Sequence, residues 1–211
     1  MTGTTEPDVL VVGEALIDVV ERPGRPTARM PGGSPANVAL ALGRLGRRTR
    51  LATVLGRDDD AELLRGWLAE SDVAVEATPA STGRTSTARA VLNDSGSATY
   101  DFDLAWEPVQ VRPGPIGVLH IGSIASVLAP GADAVRDLVR RARDGALVSF
   151  DPNARPSITP DRDAVLSRVL ELVALSDVVK VSEEDLAWYD PARVRARWPP
   201  RGLASGRRSS W

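Results

Sequence analysis

Four groups of residues carry polar side chains at positions where chemistry could be done. Asp18 closes Gly13-Glu14-Ala15-Leu16-Ile17-Asp18, just after a short apolar run. Gly32-Gly33-Ser34-Pro35-Ala36-Asn37 sets two glycines ahead of a helical pattern, with an amide one turn in. Asp151, Asn153 and Arg155 follow a second apolar run, and Lys180, Ser182, Glu183, Glu184 and Asp185 follow a third. Carboxylates, amides, a guanidinium and an ammonium at strand ends are what a ligand site in an open parallel sheet uses. Each group also has a purely structural explanation. A Gly-Gly pair makes a turn, an Asp after a strand caps a helix or turn, and acids at a helix start answer the helix dipole. His120, alone in an apolar strand, reads as a satisfied core residue. No G-x-x-x-x-G-K-[ST], G-x-G-x-x-G, H-E-x-x-H or G-x-S-x-G occurs, so P-loop, dinucleotide, zincin and nucleophile-elbow chemistry have no motif here. The residue types alone leave the ligand's kind open.

These groups must be positioned by regular elements. Val9–Val12 reads as a buried strand, and Leu51–Leu55, Val118–Ile121, Ala146–Phe150 and Val178–Val181 read as further strands. Between them, Val38, Ala41, Leu42 and Leu45 follow a helical period, with Ser34 as cap and Pro35 in the first turn. Asp58–Asp60 cap a helix with face Leu64, Trp67 and Leu68. Val135, Leu138, Val139 and Ala142 form another face, as do Val165, Val169, Leu170 and Val173, and Ser182 caps a helix running to Trp188. Strand–helix alternation with short connections predicts a mainly parallel sheet covered by helices on both faces. Residues 14–31, with Pro23, Gly24, Pro26 and Pro31, allow only short or edge strands. Residues 85–103 differ: two alternating runs flank Asn93-Asp94-Ser95-Gly96, a hairpin with one wet face.

The chain has 211 residues and 43% apolar composition, enough for a real core. It has no cysteine, which excludes disulfides, thiol catalysis and Cys-bound metals. The net charge of -2 gives no reason to expect nucleic acid or an anionic membrane as partner. No apolar run approaches the ~20 residues of a membrane span, and the polar N-terminus is not a signal peptide; a cytoplasmic location is expected. Every acidic residue lies at or before Asp190, whereas residues 191–211 carry six arginines and no acid. That stretch lacks apolar periodicity and is expected to be irregular. A basic arm for an acidic partner and a read-through of GC-rich DNA in another frame both fit it; 25 of the 26 basic residues are arginine.

Taken in order, GEALIDVV, PGGSPANVALALGRLG, LATVLGRDDDAELL, TARAVLNDSGSATYDFDL, LHIGSIA, VSFDPNARPSI and DVVKVSEEDLAW resemble the ribokinase-like carbohydrate kinases of the PfkB family, of the fructokinase and 2-keto-3-deoxygluconate kinase type. The likeness spans residues 8–190. It implies a ribokinase-like α/β/α sandwich with a small β-lid from residues 18–31 and 85–108. It also implies transfer of the γ-phosphoryl group of ATP, with Mg²⁺, to a hydroxyl of a sugar or sugar acid. Asp18, Gly32, Gly33, Asn37 and Arg155 would bind the sugar, and Ala88 and Phe102 would belong to the lid. Asp151, Asn153, Lys180, Ser182, Glu184 and Asp185 would lie toward phosphate and metal, with no direct metal ligand. Two copies would pair through the lid.

Two departures stand out. The family's Asn-x-x-Glu is Ser182 and Asp185 here. The family's Asp-Thr-x-Gly-Ala-Gly-Asp stretch, which supplies the base and an anion hole, has no counterpart in these 211 residues. The expected chain is therefore a C-terminally truncated kinase without a catalytic base, since losing such a base costs ~10²–10⁴-fold in rate. A non-catalytic sugar-binding or regulatory remnant is the alternative, and a nucleoside kinase of the same family is the second.

Overall fold

The computed structural model describes residues 8–93, 98–112 and 114–191. The tail from residue 192 and the tip of the predicted hairpin, residues 94–97, lie outside the described residues. Ten strands form two sheets among the described residues. The larger contains β1 (Asp8–Val12), β4 (Thr49–Leu55), β5 (Val73–Pro79), β8 (Ile116–Gly122), β9 (Leu147–Asp151) and β10 (Val178–Val179). Its order is β10-β9-β8-β1-β4-β5, and every pairing is parallel.

Parallel strands need crossovers, and helices supply them. α1 (Ser34–Arg44), α2 (Asp59–Ala69), α3 (Gly131–Ala142), α4 (Arg162–Leu175) and α5 (Glu183–Tyr189) follow in chain order. Alternation along β1 divides the core in two. Val9 and Val11 face the cluster built with Ala36, Ala39, Leu40, Leu64 and Leu68 of α1 and α2. Leu10 and Val12 face the cluster that holds Val135, Val139, Val165 and Leu172 of α3 and α4. The predicted layering of helices on both faces is therefore what the strands' period of two produces.

The smaller sheet has the order β3-β2-β6-β7, from β2 (Leu16–Glu21), β3 (Ala28–Gly32), β6 (Thr87–Leu92) and β7 (Ala98–Asp103). β6 and β7 pair antiparallel, as the alternating runs predict, and β2 lies parallel to β6. The turn from β1 into β2 is pinned by Ala15, whose N–H donates to Thr53 Oγ1 at 3.1 Å. One sheet thus hands the chain directly to the other.

Four details differ from the sequence reading. Ser34 is the first residue of α1, and Gly33, at φ 105°, is its cap. The buried stripe of α1 is Ala36, Ala39 and Leu40, while Leu45 is 76% exposed. Small residues let this face lie close to the sheet, and a bulky-residue count points one position away. In α4 the inner face ends on Leu172, with Leu170 exposed. β5 escapes the sequence reading, because Val73–Pro79 is broken by Glu76 and Pro79. Among the described residues, no helix is long and apolar enough to cross a membrane.

Candidate active site

A cleft of about 950 Å³ lies where the C-terminal ends of β1, β8 and β9 meet the small sheet and the start of α1. Asp18, Gly33, Asn37, Ala88, Phe102, Asp151, Asn153, Arg155 and Lys180 line it, together with Glu14 and Ser123. Residues from distant stretches of sequence thus converge, because the parallel strands release their following loops at one end and the small sheet stands over that end.

Asp18 stands in the middle of β2, opposite Met30 on β3 and Ala88 on β6. Partial burial raises its carboxyl above the usual aspartate range. The small Ala88 leaves its neighbourhood open. Across the cleft, the left-handed backbone of Gly33 brings the start of α1 against the β1–β2 turn, where a Cβ would stand 2.5 Å from the Glu14 carbonyl oxygen. Asn37 follows on the first turn and is exposed. Tyr100 and Phe102 on β7 stack with centroids 6.2 Å apart and give the cleft an aromatic wall.

The floor is polar. Lys180 Nζ meets Asp151 Oδ2 at 3.0 Å, while Asp151 Oδ1 is buried without a partner. Asn153 adopts φ 40° and Ser123 φ 55°, left-handed conformations that non-glycine residues seldom take. Asn153 Nδ2 donates to Ser123 Oγ at 3.4 Å, and Arg155 Nη1 donates to Asn153 Oδ1 at 2.9 Å. Behind Ser123 sits Glu14. Burial pushes its carboxyl up to about 7, against the pull of Ser123 and the Ala125 amide turned toward it and of Arg155 beyond.

The fourth polar group divides. Lys180 reaches the cleft, but Ser182, Glu184 and Asp185 do not line it. Ser182 Oγ caps α5 by accepting the Asp185 N–H at 3.0 Å. Asp185 is buried, and its Oδ1 accepts the Ala154 N–H at 2.9 Å, so it fixes the loop that carries Asn153 and Arg155. Glu184 is exposed on α5. Among the described residues, no group of three His, Asp or Glu side chains could hold a metal ion. His120 lies off the cleft with Nδ1 3.2 Å from Ser149 Oγ, and burial lowers its pKa. Sequence reading passes over Glu14 and Ser123. Their one signal is that each directly follows a strand-ending glycine, Gly13 and Gly122.

Comparison with known proteins matches this architecture. The family model described as pfkB family carbohydrate kinase matches residues 6–191. A fructokinase of Rhizobium leguminosarum bv. trifolii is 33% identical over 92% of this chain and 64% of its own length. The crystal structure of a Xylella fastidiosa fructokinase with bound ATP superposes with TM-score 0.72 at 31% identity, over 87% of this chain and 64% of that one. A Vibrio cholerae O395 fructokinase in fructose, ADP and calcium ion bound form superposes with TM-score 0.74 at 26% identity, over 90% and 67%. The chain therefore spans about two thirds of the length of these relatives. Ordered motifs, a two-faced parallel sheet with a four-stranded flap, and a family match over residues 6–191 agree, and the chain belongs to the pfkB family of carbohydrate kinases.

Proposed function

We propose that the chain carries the sugar-binding half of an ATP-dependent fructokinase-type phosphotransferase. The observation that carries this reading is Asp18, a carboxylate set at mid-strand in the small sheet and lining the cleft opposite the glycine-paired start of α1. A carboxylate can accept from two neighbouring hydroxyls at once, the pattern a sugar offers. Asn37 adds a donor and an acceptor, and the Tyr100–Phe102 wall suits the carbon face of the ring. The small sheet would act as a lid that excludes water.

In the full reaction MgATP is the second substrate, and the sugar hydroxyl attacks its γ-phosphorus as the bond to ADP breaks. Phosphoryl transfer depends mainly on positioning and charge stabilisation. Arg155 and Lys180 supply positive charge at the cleft's floor, and Arg155's fork suits a phosphate or a sugar acid. Nothing in these 211 residues matches the stretch that the resemblance assigns to the hydroxyl's base. We therefore propose that this chain binds sugar without turning it over. Pairing of two copies through the lid belongs to the same reading, and sedimentation tests it.

The test is calorimetric titration of the 211-residue chain with D-fructose, 2-keto-3-deoxygluconate and adenosine, beside a coupled assay for ADP release. Sugar or sugar-acid binding without ADP release is the expected result. Preference for the nucleoside would move the chain to the nucleoside kinases, and turnover would refute the missing base.

A further inference from the structure

Among the described residues, Glu14 is the one fully buried carboxyl at the cleft that sugar binding by Asp18 leaves without a task. The residue is 6% exposed, and Oε2 is sealed from solvent with no hydrogen-bond partner. An ionisable group placed so deeply costs stability unless it is hydrogen-bonded or paired. Its surroundings form an ordered series. The Ser123 hydroxyl faces its carboxyl. Asn153 Nδ2 then reaches Ser123 Oγ, and Arg155 Nη1 reaches Asn153 Oδ1. Both intermediates, Ser123 and Asn153, are held in left-handed backbone conformations, the kind of strain that persists where the surroundings over-determine a geometry. The series ends on an exposed guanidinium at the cleft, whose Nη1 also donates to the Ala154 carbonyl oxygen at 2.8 Å.

We propose that Glu14 is a positioning residue that acts through Ser123 and Asn153 to hold Arg155 in its binding orientation. The proposal rests on the sugar-site reading for its functional meaning, but the orientation of Arg155 can be observed without any sugar. Glu14 itself touches no substrate. It fixes the direction of the Ser123 hydroxyl, which fixes the Asn153 amide, which leaves its oxygen facing Arg155. A neutral or an ionised carboxyl can both accept from Ser123, so a glutamine in its place would keep the series intact.

The experiment uses the 211-residue chain and three variants, Ser123→Gly, Glu14→Ala and Glu14→Gln. Ser123→Gly is the decisive one. Glycine takes φ 55° without a steric cost, so the fold is kept and only the hydroxyl is removed. Two readouts are taken: the rate at which phenylglyoxal modifies Arg155, located by mass spectrometry with Arg140 of α3 as internal reference, and the Kd for D-fructose. Loss of one charged hydrogen-bond series predicts about tenfold faster Arg155 modification and about tenfold weaker fructose binding in Ser123→Gly and Glu14→Ala. Glu14→Gln should restore both to within about twofold of the parent, because its amide oxygen can still accept from Ser123. Unchanged Arg155 reactivity in a folded Ser123→Gly overturns the proposal, even if Glu14→Ala fails to fold. If the parent chain binds no fructose, the sugar-site reading fails, and the Arg155 rates still decide whether Glu14 positions it.

Discussion

The Asp18 carboxylate occupies the space that a side chain on Gly32 would need: a Cβ there would collide with Oδ2. β2 and β3 pair so that Leu16 lies opposite Gly32 and Asp18 opposite Met30. The antiparallel register therefore folds the carboxylate over the glycine rather than beside it. Gly32→Ala should push Asp18 out of its place and weaken fructose binding by about tenfold or more, the loss of a charged hydrogen bond. Asp18→Asn should cost a similar factor while leaving the fold intact. Calorimetric Kd values check both, and Gly32→Ala with unchanged binding would remove Asp18 from the site.

Gly33 answers a different constraint. At φ 105°, and with no room for a Cβ, which would stand 2.5 Å from the Glu14 carbonyl oxygen, it caps α1 and brings the helix to the β1–β2 turn. Gly33→Ala should lose about 1–3 kcal/mol of unfolding free energy from the strained backbone alone. Urea denaturation would show it as a lower midpoint at unchanged slope.

Asp58 ties α2 to the entry of the small sheet. Its Oδ1 accepts the Ala61 N–H at 3.0 Å and the Thr85 hydroxyl at 2.6 Å, and its Oδ2 accepts the Thr85 N–H at 2.7 Å. Asp58→Ala removes a helix cap worth ~0.5–2 kcal/mol together with two further hydrogen bonds of about 1 kcal/mol each. A loss of about 2.5–4 kcal/mol is expected on those grounds. Thr85→Val should lose the hydroxyl's bond to Asp58 and also leave the Gly56 N–H, which donates to Thr85 Oγ1 at 3.0 Å, without its acceptor, and urea midpoints of the two variants measure each loss.

Stability should also report the buried Glu14. Its folded pKa, about 7, lies above the ordinary value of 4.5, so the folded state holds the proton more tightly than the unfolded chain. Its relative stability is greatest below pH 4.5 and falls as pH rises from there through about 7. The difference amounts to about 3 kcal/mol at most, since each tenfold change in proton affinity is worth about 1.36 kcal/mol. His120 works in the opposite direction, since burial lowers its pKa from 6.5 and stability is lost as pH falls through that range. Comparing thermal melts of the parent and Glu14→Gln from about pH 4.5 to about pH 8 cancels the His120 contribution. The parent's Tm relative to the variant should decline across that range; a flat difference would mean that Glu14 is not desolvated.

Local chemistry was enough for a large part of this molecule. The parallel strands other than β5, the antiparallel β6–β7 pair, the Asp58 and Ser182 caps and the glycine-led start of α1 follow from period, turn residues and capping side chains, which act within a few residues. The ordered motifs likewise marked Asp18, Gly32, Gly33, Asn37 and Arg155 as site residues, and Gly33, Asn37, Asp18 and Arg155 share one cleft. What only the tertiary structure decided are relations between distant stretches. Asp185 serves the Ala154 amide, 31 residues away, and its neighbour Glu184 faces outward, although both sit in one acidic run. Which side of α1 is buried depended on how closely Ala36 and Ala39 let it approach the sheet. Glu14 looked like any residue of a turn until β8 and the Asn153 loop enclosed it. Burial, and with it the pKa and the hydrogen-bond series to Arg155, is a property of what surrounds a side chain in space, and no local spacing encodes it.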